Sequence, residues 1–326
     1  MNLSISSFKR LAFVYVAACT GAFALLTGAS EWLVRTQVFP QDTLRKHVAL
    51  FEQTTSPYVA FGDSHVARGF DAQDPVVNLA YPSESVEKMA WKASLYLEQT
   101  PNVKTVLIQA DPHLFAAYRK GAGLGDYPIA FAGRERSALL SLSARYRPQL
   151  LALWQAFIKS GGRMTSKIET TAQGALLSPG NLATWAAVQV QEFTAHRVDL
   201  HLPDIGAEQS ITVDLYRDMV AKFVEAGADI CLVSFPTAPV YRQYVESLND
   251  SEKQQWNAAQ GLFTELAKHP RIRFIDDSAR FDDPTLFRDP DHLNKTGAVQ
   301  YGPMLQNACF NDDGRDVIAA NSLLAR

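Results

Sequence analysis

The chain has 326 residues, of which 47% are hydrophobic and 20% charged, with a formal net charge of -3. That composition excludes a mostly disordered chain, and the weak negative charge supplies no global basic field for nucleic acid. The three cysteines, Cys19, Cys231 and Cys309, form no C-x-x-C pair, which argues against a zinc knuckle.

The N-terminus carries the first functional signal. Lys9 and Arg10 precede a run from Leu11 to Ala29 with no charged residue, and Trp32-Leu33-Val34 extends it past Glu31. A spanning helix needs roughly 20 mainly apolar residues, whereas the apolar part of a cleavable signal peptide has about 7–15. The length predicts a retained single-pass anchor over 11–34, with a cytoplasmic tip over 1–10 and Trp32 at the far interface. The basic pair then predicts a body on the periplasmic or extracellular side of a bacterial-type cell membrane. Cleavage after Thr27-Gly28-Ala29 is the competing reading, and it exports the body as well.

Residues 35–56 read as a linker with a short helix around Leu44 to Phe51, and residues 57–326 as one large domain. Tyr58-Val59-Ala60-Phe61 is a short apolar strand ending in Gly62-Asp63-Ser64-His65. Val76 to Ala80 is a second strand, followed by a helix with Met89, Trp91, Leu95 and Tyr96 on its buried face. Val103 to Ile108 is a third strand, ending at Gln109-Ala110-Asp111. The middle, about 114–208, reads as an inserted cap with helices at Arg147 to Ile158 and Leu182 to Glu192. Regular alternation resumes with a helix near Val213 to Ala226, strand Ile230 to Ser234, a helix from Glu252 to Lys268, strand Arg273 to Asp276, and a closing helix from near Thr296. Strands alternating with helices predict an α/β fold: a mostly parallel sheet covered on both faces, in three layers. A Cys231–Cys309 disulfide would be open to the chain in an oxidising compartment.

Three short segments sit at the ends of predicted strands or before the last helix, where sites assemble in open α/β sheets. They are Gly62-Asp63-Ser64-His65, Asn78-Leu79-Ala80-Tyr81-Pro82 and Asp289-Pro290-Asp291-His292. A serine at a strand-to-helix turn exposes its hydroxyl but needs a base to become a nucleophile. His292 can be that base, and Asp289, three residues earlier, can hold its other ring nitrogen. Asp291 competes for that place but is expected to face away. Asp63 reads as a structural hydrogen-bonder, and Tyr81, Ser83 and Ser85 as pocket-lining residues.

Phe61-Gly62-Asp63-Ser64 resembles the first block of the SGNH/GDSL hydrolase superfamily, and Asp289-x-x-His292 its last block. Asn78-Leu79-Ala80 falls where that family carries its second block. The resemblance spans roughly residues 58–308. It implies Ser64 as nucleophile, His292 as general base and acid, and Asp289 as its orienter. It also implies an oxyanion hole from the Ser64 N–H, the Ala80 N–H and a third-block side chain. The third block departs from the family: Gln109-Ala110-Asp111-Pro112-His113 stands where Gly-x-Asn-Asp is usual. An ionised Asp111 would repel an oxyanion, so Gln109 or a backbone N–H is the substitute donor; His65, Asn78 and His113 are further candidates to touch the site.

GDSH with a variant third block, behind an N-terminal anchor, is similar to the membrane-anchored subgroup that includes DltD and the alginate O-acetylation proteins. That resemblance implies an exported serine O-acyltransferase, acting with no cofactor and no metal. Its expected acceptor is a cell-envelope polysaccharide or other polymer, and its expected partner a membrane-bound O-acyltransferase. An esterase or deacetylase is the alternative within the same chemistry. Outside it stand a non-catalytic partner and a metal-dependent phosphoesterase using Asp63, His65, Asp111, His113, Asp289 and His292.

Overall fold

The structure is a computed structural model that describes residues 5–121, 123–125, 127–131, 139–205 and 211–311. Parts of the expected tip (1–4), of the expected insertion (122, 126, 132–138, 206–208) and of the expected body (209–210, 312–326) lie outside the described residues. In chain order the first elements are α1 (Ile5–Leu33), α2 (Thr43–Gln53), β1 (Tyr58–Phe61), α3 (Ser64–Gly69), β2 (Val77–Asn78), α4 (Val86–Gln99) and β3 (Thr105–Gln109). The middle holds α5 (Tyr127–Phe131), α6 (Leu150–Lys159), β4 (Glu169–Thr170), β5 (Leu176–Leu177) and α7 (Ala187–His201). Then come α8 (Ile211–Glu225), β6 (Asp229–Ser234), α9 (Pro239–Glu246), α10 (Asp250–Leu266), β7 (Ile272–Asp276), β8 (Phe287–Asp289), β9 (His292–Leu293) and α11 (Lys295–Phe310).

The residues group into two units, Met1–Arg45 with Asp126–Ser166, and Lys46–Gly125 with Lys167–Arg326. Against the expected linker at 35–56 and insertion at about 114–208, residues 46–56 and 167–205 group with the unit that holds the sheet. In the first unit, Lys9–Gln41 is a helix long enough to cross a membrane, and it contains an 18-residue stretch with a mean hydropathy of 1.9. By length and composition it serves equally as an anchor or a signal sequence. Its one acidic residue has a structural reason. Glu31 accepts hydrogen bonds from the Leu140 N–H (3.2 Å), the Ser141 N–H (2.9 Å) and the Ser141 hydroxyl (2.9 Å). Beside it, Val34, Leu140 and Tyr146 form a small apolar cluster.

The second unit is built on a five-stranded sheet of order β2-β1-β3-β6-β7, with every pairing parallel. Its inner strands are apolar runs, as strands covered on both faces must be. Ala60 aligns with Leu107, and Leu107 with Cys231. These residues join Val66 and Ala67 of α3 and Tyr301 and Leu305 of α11 in one core cluster. Phe61, one residue on, faces the opposite side, against Tyr96 of α4 and Phe223 of α8. The period-two alternation of strand side chains thus puts helices on both faces and makes a three-layer α/β/α sandwich. A disulfide joins Cys231 of β6 to Cys309 of α11.

Two helices differ from the sequence expectation. On α4, Met89 and Tyr96 are buried, but Trp91 and Leu95 are only half-buried, and Lys92 takes the fully buried place. Lys92 can do so because it pairs with Glu84 and donates to the Leu79 carbonyl. The helix expected over Leu182 to Glu192 begins at Ala187 and runs on to His201. Its end is set by Pro203, which forces Leu202 into extended backbone (ψ 123°). The extra turns carry Arg197 and His201. The chain leaves β1 and β3 on the two sides of the point where strand order reverses, the place where open α/β sheets open a crevice.

Candidate active site

β1 runs into α3 through Gly62 and Asp63. Gly62 is required by space: a Cβ there would lie 2.2 Å from Val66 Cγ2 and 2.8 Å from Gln109 Oε1. Asp63 caps α3, its Oδ1 accepting from the His65 N–H at 2.8 Å. Ser64 is the first residue of α3 and half-buried. On the other side of the site, β8 and β9 form a hairpin in which Asp289 pairs with His292. Asn294 fastens that hairpin, donating to the Gly180, Thr285 and Phe287 carbonyls and capping α11 through the Gly297 N–H.

This framework brings Ser64, His292 and Asp289 into line. His292 Nε2 is 2.8 Å from Ser64 Oγ, and His292 Nδ1 is 2.8 Å from Asp289 Oδ1. A carboxylate only accepts, so Nδ1–H donates and Nε2 is left to accept the serine proton. Asp289 Oδ2 also meets Arg288 Nε at 3.2 Å. Asp291, expected to face away, turns inward: it is buried, with Oδ2 3.4 Å from His292 Nδ1 and 3.5 Å from His65 Nε2, and Oδ1 3.2 Å from Arg197 Nε. Arg197 and the His65 imidazole hold its charge there.

Several residues expected near the oxyanion lie elsewhere. Asn78 is a clamp: Nδ2 donates to the Val66 and Phe70 carbonyls at 2.9 and 2.8 Å, and Oδ1 accepts from the Ala80 N–H at 3.0 Å. The Ala80 N–H is therefore engaged, and Ala80 is wholly buried. Gln109 is turned into the interior too. Its Oε1 accepts from the Asp63 N–H at 2.6 Å and its Nε2 donates to Asp111 Oδ2 at 2.8 Å, which holds the turn before Ser64 and offers no donor to the cavity. Asp111 likewise faces inward, accepting from the Phe235 N–H at 3.0 Å. Tyr81 packs against His47, while Ser83 and Ser85 do line the cavity with Ser64.

Behind Ser64 lies a buried ionic network. Asp63 Oδ2 receives Arg119 Nη2 at 2.5 Å and His113 Nε2 at 2.9 Å. Burial works against the Asp63 charge, but Arg119 and His113 hold its pKa well below the usual carboxylate range. His65 Nδ1 is 3.1 Å from Asp111 Oδ2, yet neither of its ring nitrogens is aligned for a hydrogen bond, so the attraction is that of an ion pair. Burial pulls the His65 pKa down, but Asp111 and Asp291 outweigh it and raise it to about 10. His113 goes the other way, to about 4, through burial and the neighbouring His65 charge. His201 stacks on His113, bonds the Tyr241 hydroxyl at 2.8 Å, and is kept well below 6.5 by burial. Two trios, His65 with Asp111 and His113, and His65 with Asp291 and His292, are close enough to hold a cation. Both need His65, and a protonated imidazole is no ligand, so either trio would first have to displace that proton.

Ser64 and His292 open on a cavity of about 410 Å³. Arg68, Tyr118, Arg119, Arg197 and His201 also line it, and none was singled out by the sequence. Two signals existed. Ser64 and Arg68 stand four residues apart, as do Arg197 and His201, and that spacing puts each pair on one helix face. Nothing in the irregular segment around Arg119 marks it. A second cavity of about 420 Å³, lined by Tyr241, Trp256 and Asn257, reaches His65 from the other side.

No protein-family model matches the chain, and no curated protein does. A solved structure from Streptococcus pneumonia, provisionally described as a platelet activating factor, is 15% identical, with 88% of this chain and 98% of that chain covered and a TM-score of 0.36. It is a distant structural neighbour.

Proposed function

We propose that the chain is an exported, membrane-anchored serine O-acyltransferase. It would move an acyl group, acetyl as the first candidate, onto a cell-envelope polysaccharide or other polymer through an acyl-Ser64 intermediate. One observation carries the reading: the continuous relay from Ser64 Oγ to His292 to Asp289, at 2.8 Å per step, facing a cavity. His292 Nε2 accepts the hydroxyl proton as Ser64 Oγ bonds to the acyl carbonyl carbon, and Asp289 holds the imidazolium. That proton passes to the leaving group as its bond breaks. An acceptor hydroxyl then gives its proton to His292, its oxygen takes the acyl carbon, and Ser64 regains the proton. The oxyanion donor in this reading is the Ser64 N–H, which at the start of α3 has no helical acceptor.

Export and anchoring draw support from Lys9 and Arg10, in the first turns of α1 and ahead of its uncharged run from Leu11 to Ala29, and from the Cys231–Cys309 disulfide, a bond of oxidising compartments. A membrane-bound O-acyltransferase is the proposed source of the acyl group. The test is to incubate the full chain with p-nitrophenyl acetate, quench in acid and map the adduct by mass spectrometry. One acetyl on the Ser64 peptide is expected; its absence, or the same adduct in Ser64→Ala, sinks the reading. Acetylation of an added oligosaccharide, measured beside acetate release, separates transfer from hydrolysis. Activity that survives Ser64→Ala but not chelation would point instead to a metal-dependent phosphoesterase, and polymer acylation retained in Ser64→Ala cells to a non-catalytic partner.

A further inference from the structure

The buried charges around Ser64 balance, with one exception. Asp63 is answered by Arg119, Asp111 by His65, and Asp291 by Arg197. Arg68 lines the same cavity, and among the described residues no carboxylate lies within ion-pair distance of it. Its Nε is buried with no hydrogen-bond partner. Its pKa is lowered by burial and by the like charge of Arg288, against the longer-range attraction of Asp289, Asp291 and Asp63, each of which is paired with another cation. A half-buried guanidinium with no anion in direct contact is costly, and an anion brought into the cavity would offset that cost. The planar fork of arginine fits a carboxylate or phosphate with two parallel hydrogen bonds. Arg68 stands four positions after Ser64 in α3, so its backbone sits about 6 Å along the helix, roughly one sugar ring away.

We infer that Arg68 is an anion-binding residue of the Ser64 cavity, and that the acyl acceptor carries a carboxylate or phosphate about one sugar residue from the hydroxyl that is acylated. The inference rests on the reading of Ser64 as the acylated residue. The anion completes the one unmatched charge of the site and fixes which hydroxyl of a repeating polymer meets the acyl-serine.

The test measures binding where no turnover can occur. The full-length Ser64→Ala chain in detergent is titrated calorimetrically with trigalacturonate, with a neutral galactose trisaccharide and with glycerol 3-phosphate. At least one acidic probe is expected to bind about tenfold more tightly than the neutral one, as one charged pair in a partly enclosed site allows. That preference should vanish in Ser64→Ala/Arg68→Gln, persist in part with Arg68→Lys, and shrink with added salt. Dependence on Arg68 for glycerol 3-phosphate alone assigns a phosphate, and for trigalacturonate alone a carboxylate. Equal binding of acidic and neutral probes, no binding of either acidic probe, or a preference indifferent to Arg68 overturns the inference. An Arg68 that served the oxyanion would give equal binding and a lower kcat on neutral esters. If Arg68→Gln does not fold, the salt dependence of the preference in Ser64→Ala decides. Acetyl trapping on Ser64 in the wild-type chain is read separately: an unlabelled Ser64 with Arg68-dependent binding intact defeats the acyl-serine reading and leaves the anion site standing.

Discussion

On the cavity side of the turn after β1, Ser64 is half-buried and joined to His292 and Asp289 by two hydrogen bonds of 2.8 Å. On the interior side of the same turn, Asp63 and His65 are enclosed among Asp111, Arg119 and Asp291 in a set of matched charges. Neighbouring residues thus do opposite work. The cavity side holds a hydroxyl and an imidazole at hydrogen-bond distance, with no resident charge on the serine. The interior side holds full charges that pass nothing and fix the backbone, since Asp63 caps α3 and is tied to Arg119 while Gln109 grips its N–H. Exposure does not separate them, since His65 and His292 are equally buried and both line the cavity; the partner does, for His292 meets a hydroxyl and His65 lies between carboxylates.

The largest expected effect comes from the cavity side. Ser64→Ala should lower acyl release or transfer by about 10⁴-fold or more, as loss of a serine nucleophile does. Its thermal midpoint should move by no more than about 2 °C, because a half-buried hydroxyl is lost and nothing charged is left behind. Activity and melting of the purified chain check both halves. A large drop in stability would show that Ser64 belongs to the supporting network after all.

Asp63→Ala should give the reverse balance and a smaller number. Removing the carboxylate leaves Arg119 as a buried cation without its anion, at a cost of about 3–5 kcal/mol in unfolding free energy. Asp63→Asn should recover only part of this, because its single amide oxygen can keep the α3 cap made by Oδ1 or accept from Arg119 as Oδ2 does, but not both. Urea unfolding of the three chains decides: an Asp63→Ala chain as stable as wild type would erase the distinction between the two sides of the turn.

The same contrast explains what could be read from the sequence. The parallel sheet was legible because Tyr58–Phe61, Thr105–Gln109 and Asp229–Ser234 are apolar runs bounded by turns, a local pattern with one physical meaning. The approach of Ser64, Asp289 and His292 was legible because each sits in a short segment at an element boundary. The interior network was not, since its members are scattered from Asp63 to Asp291 and meet only through topology. Lys92 shows the limit plainly: no periodicity marks a lysine as core, and its place depends on Glu84 and a carbonyl of another segment. Ala80 and Gln109 were expected at the oxyanion because the resemblance of the second and third motif blocks implies it; which way an N–H or an amide points is set by partners that a motif does not reveal.

The smallest effect, and the sharpest on the interior side, is a pH slope. The folded-state pKa of His65, raised to about 10, lies above its ordinary 6.5, so the folded chain binds the extra proton between those values. Its contribution to stability is complete below about pH 6.5 and is lost as pH rises through about 10, at no more than about 1.4 kcal/mol per pH unit. His113, at about 4 when folded, has the opposite sign: its contribution is present above 6.5 and is lost as pH falls toward 4. Subtracting variant from wild-type unfolding free energies gives the change in slope that each substitution causes. His65→Gln should remove the alkaline slope and also shrink the acid one, because the His65 charge helps to lower His113; His113→Gln should reduce the acid slope, and Ser64→Ala should keep both. An alkaline slope unchanged in His65→Gln would mean that the imidazole is neutral between Asp111 and Asp291. The interior side would then be a hydrogen-bonded cluster and not an ionic one, and Asp291 would be left to act on His292, making the two sides of the turn one site.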